Sequence, residues 1–166
     1  MAGASDFNTY AIACNTNASW TNYSVEARIR FLPGAGGGGV GGCLDLTNGS
    51  RYAAWVYPED SPAGSNILSL VKFTDWTDWG YSDLASKNLA SVSTNWHTIK
   101  LSFNSNQIAV YYDDPVNPNI SYSDNDSPYL SGAVSLEMFN WVKFGTPAWG
   151  PNYNMSVGDI IVTPLE

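Results

Sequence analysis

The stretch Ser24-Val25-Glu26-Ala27-Arg28-Ile29-Arg30-Phe31 decides the reading of the whole chain. Apolar Val25, Ala27, Ile29 and Phe31 alternate with polar Ser24, Glu26, Arg28 and Arg30. Successive side chains of a strand point to opposite faces, so this period of two predicts a strand with one buried face. The same pattern recurs outward in both directions. Arg51–Tyr57 places Tyr52, Ala54 and Val56 on one face, and Arg51, Ala53, Trp55 and Tyr57 on the other. Ile67–Phe73 is apolar on both faces and reads as a central strand. Trp96–Phe103 and Gln107–Tyr112 read as a hairpin turned at Asn104-Ser105-Asn106. Gly41–Leu46, Ile120–Tyr122, Ala133–Phe139 and Met155–Val162 complete the set. The glycine run over 34–39 reads as a flexible loop, Asn48-Gly49 as a turn, and 75–83 as an acidic, aromatic loop.

Nine or ten short strands without a sustained helical period predict an all-β fold: a two-sheet antiparallel β-sandwich. The chain has 166 residues, the size of one domain, and residues 3–164 are expected to form it. Met1-Ala2 and Leu165-Glu166 resemble cloning remnants and are left out of the fold argument.

Composition narrows the function. Lys and Arg number 7 against 15 Asp and Glu, a net charge of -8. A nucleic-acid binder must neutralise phosphates, and an anionic membrane selects basic surfaces, so neither partner is expected. No apolar run reaches the roughly 20 residues of a membrane span. Charged residues are 13% while aromatics are 14%, with 7 Trp and 10 Tyr. A surface of amides, hydroxyls and aromatic rings suits neutral ligands such as sugars. Cys14 and Cys43 read either as one disulfide or as two buried thiols. The six Asn-X-Ser sequons accord with an extracellular or cell-surface location.

Several segments resemble one fold family. Trp20-Thr21-Asn22-Tyr23-Ser24-Val25-Glu26-Ala27 resembles the opening W-x-x-Y-x-V/L-x-A strand of concanavalin A-like and laminin-G-like jelly rolls. Asn48-Gly49-Ser50-Arg51-Tyr52 resembles their N-G-x-x-Y hairpin, and Trp96-His97-Thr98-Ile99-Lys100-Leu101 their W-H-x-L/I-K-L strand. Ile108–Asp113, Gly132–Leu136 and Val157–Val162 are similar to the strands that follow. The resemblance spans almost the whole chain and is strongest to carbohydrate-binding modules. It departs where Asp113-Asp114-Pro115 replaces an Asp-Gly turn, and where Gly158 replaces the first Asp of the closing pair.

The chemistry-bearing residues favour binding over catalysis. His97 is the single histidine, sits in an alternating strand, and reads as structural. No nucleophile motif accompanies it, and two cysteines do not make a zinc site. Glycoside hydrolysis needs two carboxylates. The Glu-x-Asp-x-x-Glu strand of glycosidases with this fold is absent, which leaves Asp45 and Glu137, on separate strands, as the only pairing weighed.

A sugar site is expected around Asp75-Trp76-Thr77-Asp78-Trp79-Gly80-Tyr81, because three large rings in seven residues cannot all face one core. Trp76, Trp79 and Tyr81 would stack on pyranose faces. Trp55, Tyr57 and Arg51 would join from their shared strand face, with Asp45, Lys72 and Glu137 as polar partners and Trp141 as a further exposed ring. By resemblance, a structural Ca²⁺ would be held by Asp159, with Asp6 as a partner; the acids at 113–114 and 124–126 form an alternative cluster.

These expectations add up to a non-catalytic carbohydrate-binding module for a polysaccharide or oligosaccharide. It would be a monomeric unit of a larger secreted or surface protein. The competing readings are a glycoside hydrolase or lyase of the same fold, and an adhesion or protein-interaction domain.

Overall fold

The computed structural model describes residues 8–15, 17, 19–33, 35–59, 61, 64–76, 82–141 and 155–165, with strand backbone alone at 8–14, 82 and 139–141. Eleven strands are described: β1 (Asn8–Cys14), β2 (Tyr23–Phe31), β3 (Gly37–Leu44), β4 (Arg51–Tyr57), β5 (Ile67–Phe73), β6 (Ser82–Asn88), β7 (His97–Asn104), β8 (Gln107–Tyr112), β9 (Ile120–Ser123), β10 (Ala133–Trp141) and β11 (Met155–Pro164). They form a six-stranded sheet in the order β1-β10-β3-β4-β5-β6 and a five-stranded sheet in the order β11-β2-β7-β8-β9. Every pairing is antiparallel. This is the expected jelly-roll sandwich.

The alternation read from the sequence builds the core. Val25, Ala27, Ile29 and Phe31 of β2 meet Ile99, Leu101 and Phe103 of β7, all buried. From the other sheet, Val40, Tyr52, Ala54, Val56, Leu68 and Leu70 close against them. Each buried Val, Leu, Ile or Phe side chain among them contributes about 1.5–3 kcal/mol by leaving water. The β7–β8 hairpin turns where expected, with Asn104 opposite Gln107, and the side-chain oxygen of Asn22 accepts the Ser105 N–H at 2.8 Å.

Two readings change. The glycine run is no flexible loop: Gly37 opens β3, and all eight residues of that strand are buried between β10 and β4. The reason is steric. A Cβ on Gly42 would come within 2.4 Å of the Phe103 ring, and one on Gly41 within 2.2 Å of Ser135 Oγ and 2.5 Å of Glu137 Oε1. Large neighbours on both faces occupy the room that β3 side chains would need. The strands β1 and β6 were not anticipated. Both sit at the edges of the six-stranded sheet, where β6 carries Asp83 and Lys87. A charged edge strand loses the period-two signal, and the charge blocks further pairing. Of the two readings of the cysteines, the structure shows Cys43 as a free, buried thiol; the side chain of Cys14 lies outside the described residues.

Candidate functional site

The outward face of the six-stranded sheet holds the residues that the sequence grouped around Arg51. Arg51 opens β4 and Glu137 lies in β10, with β3 between them. Because Gly41 has no side chain, the two reach each other across β3. Arg51 Nε donates to Glu137 Oε1 at 2.5 Å and Nη2 to Oε2 at 3.2 Å, a bidentate pair. Trp55 Nε1 donates to Glu137 Oε2 at 3.0 Å and Ser135 Oγ to Oε1 at 2.8 Å. Arg51 and Glu137 are both 0% exposed and Trp55 1%. The Arg51 guanidinium lies 4.0 Å from the Phe73 ring centroid.

Arg51, Trp55, Tyr57 and Glu137 therefore do not stand in solvent. They were expected to contact a ligand; instead Trp55 and Tyr57 join Ala53, Val71 and Phe73 in a second buried cluster. Strand parity assigned them to the correct face, but parity does not reveal whether that face is covered. Their role in this structure is support. Arg51 Nη1 donates to the Gly49 carbonyl at 2.7 Å and, at a long 3.5 Å, to that of Asp75. It thereby ties the β3–β4 turn to the segment that carries Trp76.

Trp76 is 39% exposed. Its indole lies flush on Gly49, where a Cβ would come within 2.4 Å of ring carbon Cδ2. Gly49 has φ +87°, a conformation that glycine adopts freely. Asp45 is exposed in the same turn. Its carbonyl accepts Gly49 N–H at 2.7 Å and its carboxylate accepts Thr47 N–H at 2.8 Å. Trp76 and Asp45 are thus brought to one end of the β3–β4 hairpin. Trp79, Tyr81 and Asp6 lie outside the described residues, as does the side chain of Trp141, whose backbone pairs with Asn8 at the end of β10.

Lys72 is elsewhere. It shares the register of Tyr52, on the inward side of the sheet. Its ammonium donates to Asp124 Oδ2 at 2.6 Å and to the carbonyls of Asp126 at 2.8 Å and Ser127 at 3.1 Å. Asp124, buried, also accepts from Tyr52 Oη at 2.5 Å. Burial pushes the Asp124 carboxyl up, but the Lys72 and Tyr52 contacts outweigh it and hold the group below the usual carboxylate range. Lys72 thus anchors the 124–127 loop, and its expected sugar contact is corrected to a structural one.

His97 matches the structural reading. Its ring stacks on Tyr112 at 5.0 Å, with Nδ1 2.6 Å from Asp113 Oδ2 and Nε2 2.5 Å from the Val92 carbonyl. Among the described residues no group of three or more His, Cys, Asp or Glu side chains converges as a metal site would require. Asp159 offers one exposed carboxylate in a bulge of β11. Of the alternative acids, Asp114 accepts from Val116 and Asn117, while Asp113 and Asp124 are engaged as above. The described residues do not form a calcium cage.

The sequence reading passed over Trp96 as a surface residue. It is 40% exposed, and the guanidiniums of Arg28 and Arg30 on the five-stranded sheet both lie over its ring. The outward alternation of Arg28 and Arg30 in β2 was the available signal.

No protein-family model and no curated protein matches the chain by sequence. A carbohydrate-binding module of family 66 from Bacillus subtilis superposes with a TM-score of 0.70 at 16% identity, covering 96% of this chain and 83% of the module. A tetrameric galectin from the ball sponge Cinachyrella sp. gives 0.62 at 7% identity, covering 92% and 99%. A glycosyl hydrolase family protein from Mycobacterium fortuitum gives 0.53 at 16% identity, covering 93% and 67%. At these identities the shared property is the fold. The chain has the concanavalin A-like jelly-roll fold.

Proposed function

We propose that this domain is a non-catalytic carbohydrate-binding module that stacks a sugar ring on Trp76. The observation that carries the reading is the half-exposed indole seated on Gly49 beside the exposed Asp45. An indole presents an apolar face with a polar edge, and a pyranose presents an apolar C–H face with a hydroxyl rim. Trp76 supplies the flat surface, and Asp45, in the turn that ends at Gly49, supplies a hydroxyl acceptor. Trp79, Tyr81 and Trp141 are proposed to extend the site. The Arg51–Glu137 network beneath holds the platform rigid, which limits the ordering cost of binding. The module and galectin neighbours of the same fold support a sugar ligand.

The carboxylates support binding rather than hydrolysis. Glu137 is fully engaged by Arg51, Trp55 and Ser135, so it has no free oxygen to offer a glycosidic bond. A glycan-array screen followed by calorimetry tests the proposal. A responsive glycan should lose at least about tenfold in affinity with Trp76→Ala, the order expected for one stacking aromatic. Equal binding by the variant rejects this placement. Turnover of a hit would instead favour the hydrolase reading. An array without hits, together with self-association in solution, would favour the interaction domain. We further place the protein outside the cell, as part of a larger polypeptide; fractionation of the source cells checks this.

A further inference from the structure

We propose that Arg28, Arg30 and Trp96 form a second binding site, for a sugar residue that carries a carboxylate. It lies on the five-stranded sheet, away from the sheet that carries Trp76. The inference rests on the reading of the domain as a saccharide binder and names a ligand class for a different surface.

The local geometry is specific. Arg28 and Arg30 are two residues apart in β2, so their side chains share the outward face. Their guanidinium carbons lie 5.2 and 5.3 Å from the Trp96 ring centroid. The β11 bulge between Val157 and Ile160 places Gly158 beside them, and a Cβ there would come within 3.3 Å of Arg28 Cβ and 3.7 Å of Trp96 Cζ3. The indole packs beside this bulge while 40% of Trp96 stays exposed.

The charge is uncommitted. Arg51 is paired with Glu137 and Lys72 with Asp124. Neither Arg28 nor Arg30 makes an ion pair among the described residues, and Arg30 Nε is buried without a hydrogen-bond partner. Glu26 shares the outward face of β2 and Asp159 lies in the adjoining bulge, yet neither forms an ion pair with Arg28 or Arg30, which leaves both guanidinium forks available. A guanidinium presents its donors in a planar fork that matches a carboxylate. The two guanidiniums lie over part of the Trp96 ring, and the part that stays exposed is the apolar surface a pyranose would cover. A single acid on an otherwise neutral chain fits best, because a polyanion would be repelled by the rest of the surface.

The test uses methyl glucuronide, with methyl glucoside and its 6-sulfate as comparisons, followed by the indole N–H signal of Trp96 in NMR titrations. The glucuronide should shift Trp96 saturably, and the neutral glucoside should not. Arg28→Gln and Arg30→Gln should each weaken the response by about fivefold, as for one exposed ion pair, and added salt should weaken it further. Thermal melts of both variants should match wild type, and Trp76→Ala should leave the response intact. Absence of a Trp96 shift with glucuronide, an equal shift with glucoside, or persistence in the double Gln variant would overturn the proposal. Tighter binding of the 6-sulfate would overturn the choice of carboxylate. Binding of neutral glycans at Trp76 is read separately in the same titrations, so either site can fail alone.

Discussion

Arg51 and Glu137 meet across the glycine strand β3 as a fully buried, bidentate ion pair at 2.5 and 3.2 Å. Buried charges depend on one another, since removing one leaves the other without water or partner. Arg51→Ala and Glu137→Ala should each lose about 3–5 kcal/mol of stability. The double variant Arg51→Ala/Glu137→Ala should lose less than the sum of the two. Urea denaturation of the four proteins measures this. Additive losses would show that the pair is not coupled.

Gly41 is the empty position that lets this pair form, and the effect of filling it follows directly. A methyl group at Gly41 enters the space of Ser135 Oγ and Glu137 Oε1. Gly41→Ala should cost at least about 1–3 kcal/mol, the usual range for overpacking. Gly36→Ala, at the start of the same glycine run, serves as the comparison. If Gly41→Ala melts with wild type, the glycine strand has another cause.

Acid sensitivity should centre on Asp124. Its folded carboxyl titrates below its unfolded value of about 3.9, so the stabilisation is complete above that pH and is lost as pH falls through the folded value. The part-exposed Glu59 and Asp114 carboxyls are lowered too, first by the Ser91 hydroxyl and by the Asn117 N–H respectively, and act in the same sense. Desolvation raises Asp83, which opposes them. Stability should therefore fall below about pH 4, and Asp124→Asn should flatten that limb. Melting curves from pH 2 to 7 check this; an unchanged acid limb in the variant would assign it to other carboxylates.

The Cys43 thiol should be inert in the native state. Burial, partly offset by its contact with Tyr23, pushes it up to about 12, so little thiolate exists at neutral pH. Alkylation at pH 8 with peptide mapping should leave Cys43 unmodified until denaturant is added. Rapid native labelling of Cys43 would contradict the packing described.

Much of the fold was legible because alternation is a local signal. The β2 pattern, the β7–β8 hairpin and the two faces of β4 all follow from a period of two. What escaped was set by neighbours distant in sequence. Six glycines over 36–42 carry no hydrophobic period, and their strand exists because Phe103, Tyr23, Ser135 and Glu137 fill the space around it. The site was legible in the same degree. Residue type and parity grouped Arg51, Trp55 and Glu137 correctly, but burial of that face depends on tertiary cover that parity does not encode. Lys72 was misplaced because an apolar strand such as Ile67–Phe73 does not declare which face is inward.

The central claim is that Trp76, held on Gly49, is the ring on which a sugar stacks. NMR titration with a glycan hit, following the tryptophan indole N–H signals, tests it most directly. The account predicts a saturable shift of Trp76 with Trp55 nearly unmoved. Saturable glycan binding that leaves the Trp76 signal in place would contradict it.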